Sequence, residues 1–491
     1  MTSALDLGSD SRMLIDGKLV EASSGKTFEN INPATEEVLG VVADASADDM
    51  QQAIQAARRA FDETDWSTNH AFRKQCLLQL QAAMEAEREL FREEVIAEAG
   101  APRMLTYAPQ LDAPLKDALL WPAEMIDKFE WERDLPPGDM MGIASKRKVW
   151  KEAMGVVGAI VPWNFPIEVT LNKLGPILAT GNTCVLKPAP DTPFNATRIG
   201  RLIAEQTDIP PGVVNVVTSA DHLVGEELTL SPLVDMISFT GSTAVGKRIM
   251  EKGAATLKRV FLELGGKSAM IVLDDADIAA TVPGAAMVCV HAGQGCAIQT
   301  RILLPRSRYD EAVELLIAAM SGMPYGDPSD MSNLMGPQIS KKQQERVLGY
   351  IQKGVDEGAT LALGGKKPAQ FDKGFFVEPT LFTDVTNDMT IAQEEIFGPV
   401  LCAIAYDTEE EAIKIANDSA YGLSGGVHSG SVERSERVAR RIRTGSISVQ
   451  GGVWYGADSP YGGYKNSGIG RQCGIEGFEQ HLETKAVAYP L

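Results

Sequence analysis

The chain has 491 residues, with 46 basic against 66 acidic side chains and a formal net charge of −20. That length predicts about three domains at roughly 150 residues each, and 44% hydrophobic residues exclude a disordered chain. A field this negative repels nucleic acid and anionic membrane surfaces unless a local basic patch overrides it.

In chain order, residues 1–13 carry acid where a signal peptide has base and lack an apolar core, which predicts a cytoplasmic protein. Ser46 and Asp49 form a capping pair ahead of Met50, Ile54, Ala57 and Phe61, which recur at helical spacing. Residues 135–139 read as a turn, and the charged run 146–151 as an exposed strand. Between about residues 155 and 266, short apolar runs alternate with amphipathic segments, the pattern of a parallel sheet with crossover helices. The buried strands fall at 156–161, 183–186, 213–217 and 236–239. Ligands of such sheets bind beyond the carboxyl ends of the strands, which singles out Asn164, Lys187 and Ser242.

A second α/β stretch runs from about Phe261 to Tyr464. Within it, residues 278–300 are free of charge, but Pro283, Gly284, His291 and Gln299 make insertion into a bilayer costly, so no membrane span is expected. Further on, Arg434, Arg437, Arg440, Arg441 and Arg443 lie among Glu433 and Glu436, spaced for pairs of Glu433 with Arg437 and Glu436 with Arg440. That is a salt-bridged helix face rather than a phosphate footprint, so no nucleic-acid partner is expected.

Six cysteines are too scattered for a disulfide framework, and five histidines show no metal-ligand spacing, so no metal is expected. The run from Gly241 to Arg248 stops one residue short of a P-loop, because Arg248 stands where Ser or Thr would hold magnesium. A strand, glycine turn and helix can still offer N–H groups to a pyrophosphate, and a plain tight turn fits equally well. Gly468-Ile469-Gly470 is a weaker glycine signal still, with Cys473 where a third glycine would stand.

Cys296 follows His291-Ala292-Gly293-Gln294-Gly295, and these small residues leave room beside a nucleophilic sulfur. A lone cysteine in apolar surroundings is more often inert core, as Cys289 illustrates. Glu263, if buried, would have the raised pKa of a general base; as an outward-facing strand residue it would not. Asn164, on a loop between two prolines, offers an amide donor suited to an oxyanion, although a turn residue reads the same way.

Taken in order, several motifs resemble those of the aldehyde dehydrogenase superfamily over nearly the whole chain. They are Val161-Pro162-Trp163-Asn164-Phe165-Pro166, Leu186-Lys187-Pro188, Phe239-Thr240-Gly241-Ser242, Leu262-Glu263-Leu264-Gly265-Gly266-Lys267 and Gly293-Gln294-Gly295-Cys296. Gln393-Glu394-Glu395-Ile396-Phe397-Gly398-Pro399 and Ser459-Pro460-Tyr461-Gly462-Gly463-Tyr464-Lys465 complete the set. The resemblance implies an α/β fold with a Rossmann-like cofactor domain (residues 1–130 and 153–260), an α/β catalytic domain (261–464) and a small β oligomerisation flap (131–152 and 478–491). It also implies a homodimer or homotetramer.

The same resemblance implies site roles. Cys296 attacks the aldehyde, the Asn164 side chain and the Cys296 backbone N–H hold the oxyanion, and Glu263 activates the water that releases the acid. Lys187, Ser242 and Glu395 contact NAD, with Trp163, Phe397, Gly241, Val245 and Pro190 completing the cofactor groove. Pro190 stands where many NAD-preferring members carry Glu, so NADP is also admitted. Gly470-Arg471-Gln472 replaces a common Gly-Arg-Glu, which leaves a proton relay through Lys173 without its acid. The aldehyde tunnel comprises Phe165, Asn172, Val290, Tyr455 and Tyr461. With Asn172 in place of the tryptophan of a cation cage, it reads as a tunnel for a medium-sized apolar or aromatic aldehyde rather than betaine aldehyde. Two alternatives remain from the residues: a CoA-acylating semialdehyde dehydrogenase, which would usually lack Glu263, and a cofactor-free thiol hydrolase pairing Cys296 with His291.

Overall fold

A computed structural model describes residues 9–491; residues 1–8, part of the N-terminal run considered above, lie outside the described residues. The capping pair is realised at the helix Ala47–Glu63. The Ser46 hydroxyl accepts from the Asp49 N–H at 3.2 Å, and the Asp49 carboxylate accepts from the Ser46 N–H at 2.8 Å. Met50, Ala53, Ile54 and Ala57 then form a buried stripe against the first sheet.

That sheet has eight strands, and its parallel centre runs Val214–Val216, Thr183–Lys187, Val156–Ile160, Met236–Thr240 and Arg259–Glu263. The inner four strands are buried, apart from half-buried Ile160, because helices cover both faces, whereas Arg259–Glu263 is buried only from Phe261 onward. Alternate side chains go to opposite layers. Val157 and Ala159 join Ile167, Leu171 and Leu174 of the helix Pro166–Ala179, whereas Val156 and Ile237 join Met50 and Ile54. From Val156–Ile160 the chain moves outward to one side and then returns to the other, so the strand order reverses between Val156–Ile160 and Met236–Thr240. This switch point is where an open α/β sheet takes a ligand.

Arg259–Glu263 closes the parallel part of the first sheet, and Gly468–Ile469 pairs with its outer edge. The second α/β unit therefore starts at Ser268, not at Phe261, because Phe261 is held by its ladder to Ser238. Its seven-stranded sheet is parallel apart from the edge strand Thr360–Leu363. The charge-free run folds as the helix Ile278–Thr281 followed by 3₁₀ turns over Val282–Gly293. Among the described residues no helix is long and apolar enough to cross a membrane.

The arginine-rich segment forms the helix Val432–Ala439. Glu436 pairs with Arg440 as spaced, but Arg437 reaches Glu409 rather than Glu433. The acidic first turn of the adjacent helix Glu409–Asn417 also takes Arg434 and Arg441.

One expectation about the flap is corrected and one is met. Residues 135–139 lie within the strand Glu132–Met140 rather than in a free turn; the prolines, lacking N–H donors, coincide with a register shift between Leu135 and Gly138. The 146–151 run is a strand, as expected, exposed at Lys146 and Arg147 and half-buried after them. It belongs to Ile143–Ala153, the central strand of a three-stranded sheet between Glu132–Met140 and Leu482–Pro490.

Candidate active site

The side chains singled out above converge where the two sheets meet. The switch-point strands deliver Trp163-Asn164 and Gly241-Ser242 to one crevice, and Thr240 pairs in register with Glu263, bringing the carboxyl to the same edge. Cys296 arrives from the other unit, just ahead of its strand Gln299–Pro305. Asn164, Ser242, Glu263, Cys296, Glu395 and Phe397 line one cavity of about 250 Å³.

The backbone before the sulfur is tightly constrained. His291, Ala292 and Gly293 are successive left-handed residues, with φ of 51°, 54° and 72°, and each non-glycine there costs on the order of 1 kcal/mol. A Cβ on Gly293 would run into the Gly398 carbonyl. Gln294 pins the turn, donating to the His291 and Pro337 carbonyls at 3.2 Å and accepting from the Ile339 N–H at 2.8 Å.

His291 donates from Nε2 to the Asn164 carbonyl at 2.9 Å, its other ring nitrogen is buried without a partner, and burial pushes its pKa down to about 4. It is thus a neutral support for Asn164. The thiol–imidazole pair that a hydrolase would need is not assembled.

Cys296 Sγ instead meets Tyr461 Oη at 3.1 Å, and that hydroxyl donates to Glu263 Oε1 at 3.2 Å. With the single phenolic proton committed to Glu263, the thiol is the donor in the Cys296–Tyr461 contact. Burial pushes the Glu263 carboxyl up to about 8, opposed by its hydrogen bonds and by the charge of Lys173. Burial, with the charge of Glu263, also holds the Cys296 thiol well above its ordinary range. Sulfur and carboxyl are therefore a thiol and a poised base in direct hydrogen-bond contact and bridged by one phenol as well. Sequence reading placed Tyr461 in the tunnel wall; its hydroxyl lies between nucleophile and base.

Lys173 is buried, which brings it down to about 7, with Nζ 3.1 Å from the Ser238 hydroxyl and 4.7 Å from the centre of the Phe261 ring. The Gln472 side-chain oxygen is buried without a partner. Its backbone exchanges two 2.7 Å bonds with Tyr461, so residue 472 holds the phenol. Asn164 Nδ2 donates to the Gln294 carbonyl at 2.9 Å, which fixes the amide and leaves its second N–H free to face the cavity.

Glu395 accepts from the Gly266 N–H at 2.9 Å, and the Trp163 and Phe397 rings meet edge to face at 5.4 Å. Two residues that sequence reading missed hold this loop: Arg346 donates to the Glu395 carbonyl at 2.6 Å and Gln343 to the Phe397 carbonyl at 2.8 Å. Both lie on the amphipathic helix Lys341–Asp356, where nothing local sets them apart from solvated polar residues.

Beyond Ser242 a second cavity of about 150 Å³ is lined by Lys187, Gly225, Phe239 and Val245. Ser242 caps the helix Thr243–Gly253 between the two cavities, its hydroxyl accepting from the Val245 N–H at 3.4 Å. Lys187 is brought down to about 8 by burial and has only 3.3 Å contacts to two carbonyls, Pro188 and Ser219. The Thr240 hydroxyl, lining the first cavity, is buried without a partner. Two cavities, a positive helix end, a loosely held lysine and an orphan hydroxyl make a fitting cradle for an elongated anion such as a dinucleotide. Pro190 is exposed on the turn after Lys187 and brings no carboxylate to it.

On the other side of the sulfur, Phe165 and Val290 line a cavity of about 340 Å³ together with Ala297, next to Cys296. Asn172 Nδ2 donates to the Tyr455 hydroxyl at 3.2 Å, and Trp454 stacks on Tyr461 at 5.3 Å.

Comparison with known proteins agrees with this geometry. Residues 19–487 match the model of the aldehyde dehydrogenase family. The mitochondrial aldehyde dehydrogenase of Leishmania tarentolae is 41% identical over 481 residues, covering 97% of this chain and 94% of that protein. A Mycobacterium tuberculosis aldehyde dehydrogenase complexed with NAD+ superposes with a TM-score of 0.93 at 43% identity, over 98% of both chains. The P. syringae indole-3-acetaldehyde dehydrogenase AldA, in complex with NAD+ and IAA, gives 0.94 at 38% identity, over 99% of this chain and 98% of that one. The match spans the molecule, and the chain belongs to the aldehyde dehydrogenase family.

Proposed function

We propose that the protein oxidises an aldehyde to its carboxylic acid with NAD, through a covalent intermediate on Cys296. The carrying observation is the Cys296–Tyr461–Glu263 chain of 3.1 and 3.2 Å contacts inside the cavity that Asn164 and Glu395 share. The sulfur loses its proton toward Glu263 as it attacks the carbonyl, because burial makes a free thiolate costly and a nearby base of matched affinity makes it accessible. The second Asn164 N–H and the Cys296 backbone N–H stabilise the oxyanion of the thiohemiacetal. Lys187, Ser242 and Glu395 would hold NAD, which would supply the acceptor for the hydride that leaves that carbon. Glu263 gives up the thiol's proton to solvent and, ionised again, draws a proton from the water that attacks the thioester; that proton passes to the departing sulfur and restores the thiol as the acid leaves.

Support for NAD comes from the two related structures that contain it; Pro190 leaves NADP admitted as a second cofactor. Glu263 in place favours water over CoA as the acyl acceptor. An aldehyde panel run with NAD, NADP and added CoA tests this reading, with a free carboxylic acid expected as product and with Cys296→Ala inactive. The three-stranded flap supports assembly into a homodimer or homotetramer.

A further inference from the structure

The oxyanion donor is held from behind by a residue that belongs to none of the motifs. Gln110 lies on the turn between the helices Arg103–Thr106 and Asp112–Asp117, its backbone N–H donating to the Leu105 carbonyl at 3.1 Å. It is fully buried, and its Nε2 donates to the Asn164 carbonyl at 2.8 Å. The 2.9 Å bond from His291 Nε2 ends on the same oxygen. A carbonyl oxygen has two lone pairs, so it accepts both donors at once.

These contacts close a ring around the donor. Asn164 Nδ2 donates to the Gln294 carbonyl at 2.9 Å, and Gln294 Nε2 donates to the His291 carbonyl at 3.2 Å. His291 then returns to Asn164. The ring ties Asn164 to the turn that carries Cys296, and Gln110 anchors it from outside. With main chain and amide both fixed, the remaining amide N–H of Asn164 has one direction to point.

The two donors to the Asn164 carbonyl share a cost. Gln110 Oε1 and His291 Nδ1 are both buried without a partner among the described residues. An unpaired buried acceptor lowers stability, and an apolar side chain of similar shape would avoid that loss. Packing therefore does not account for an amide at position 110, whereas the aim of Asn164 does. A locally unfavourable group beside a reacting centre is where function outweighs stability.

We propose that Gln110 is a positioning residue for aldehyde oxidation: together with His291 it aims the Asn164 amide at the oxyanion of the Cys296 adduct. The proposal rests on the reading of Asn164 as the oxyanion donor.

Single-turnover reduction of NAD, with an aldehyde that the wild type oxidises, tests it by placing Gln110→Met in the wild-type and the Asn164→Ala backgrounds. Methionine keeps the length of the side chain and loses the donor. Asn164→Ala alone is expected to slow the reaction at least about a hundredfold. Gln110→Met alone should slow it about tenfold, from misdirection of that donor. Its Kd for NAD, read by quenching of tryptophan fluorescence, should not change. Its Tm should be unchanged or raised, because the unpaired oxygen leaves with the amide while the Asn164 carbonyl keeps the His291 bond. In the Asn164→Ala background the same change should cost less than about twofold, since no amide is left to aim. Gln110→Leu repeats the comparison with a branched side chain, so that a packing fault in either variant shows as a difference in Tm between them.

A loss of equal size in both backgrounds, no loss in either, or a fall in Tm that accounts for the fall in rate would overturn the proposal and leave the chemistry of Cys296 standing. Asn164→Ala as fast as wild type would instead remove the oxyanion reading of Asn164, and the proposal with it.

Discussion

The Tyr461 hydroxyl touches both the nucleophile and the base, so replacing it with Phe removes one of the two links between them, leaving their direct contact and the ring that stacks on Trp454. A neutral hydrogen bond is worth about 0.5–1.5 kcal/mol, which predicts that Tyr461→Phe lowers kcat up to about tenfold. It also predicts a displaced pH profile. Glu263 accepts a proton only when ionised, and its carboxyl is held at about 8, so the rate should climb with pH through that value and level off above it. Because the Tyr461 bond favours the ionised form, losing it should move that limb to higher pH. A profile unchanged in Tyr461→Phe would contradict the assigned contact. Glu263, Cys296 and Asn164 were readable in the sequence because each lies in a short local motif. The phenol between them was not, since it meets Cys296 across 165 residues of chain and Glu263 across 198. Ser238 as the partner of Lys173 escaped for the same reason.

Among the elements, the buried strands were legible because parallel strands covered on both faces read as continuous apolar runs, and the helix Ala47–Glu63 because its capping box is local. The 3₁₀ segment Val282–Gly293 was less legible, since its left-handed exit lies against the distant backbone of Gly398 and Pro399 rather than following from its own pattern. That exit aims the nucleophile. Gly293→Ala would place a methyl group against the Gly398 carbonyl at a φ of 72°, so the turn must shift. The expected outcome is a loss of activity of at least about tenfold, from misplacement of a reacting atom, with a modest fall in Tm because the segment is a single turn. Circular dichroism melts beside kcat measurements would show whether activity falls further than stability; equal loss of both would contradict the aiming role.

For the whole molecule, the three-stranded flap was recognisable but its internal order was not. The charge pattern of residues 146–151 suggests an edge, whereas pairing with the distant Leu482–Pro490 makes that strand central. The free edges are therefore the outer strands, and Met140, Met141 and Ile143 at one tip are 77, 94 and 65% exposed. Apolar exposure of this kind beside an unpaired edge fits a surface buried between subunits. Ile143→Asp with Met141→Asp should lower the mass measured by light scattering toward 52.8 kDa while circular dichroism stays native. An unchanged mass would move the interface elsewhere.

The central claim, acyl transfer through Cys296, is tested most directly by intact-protein mass spectrometry of Glu263→Gln mixed with NAD and a turned-over aldehyde. Without its base the enzyme should be slow to acylate near neutral pH and unable to deacylate, so at raised pH, where the thiol ionises unaided, it should stall after one turnover, giving reduced cofactor equal to the active sites and one acyl adduct that maps to Cys296. Reduced cofactor accumulating with no adduct on Cys296 would contradict it.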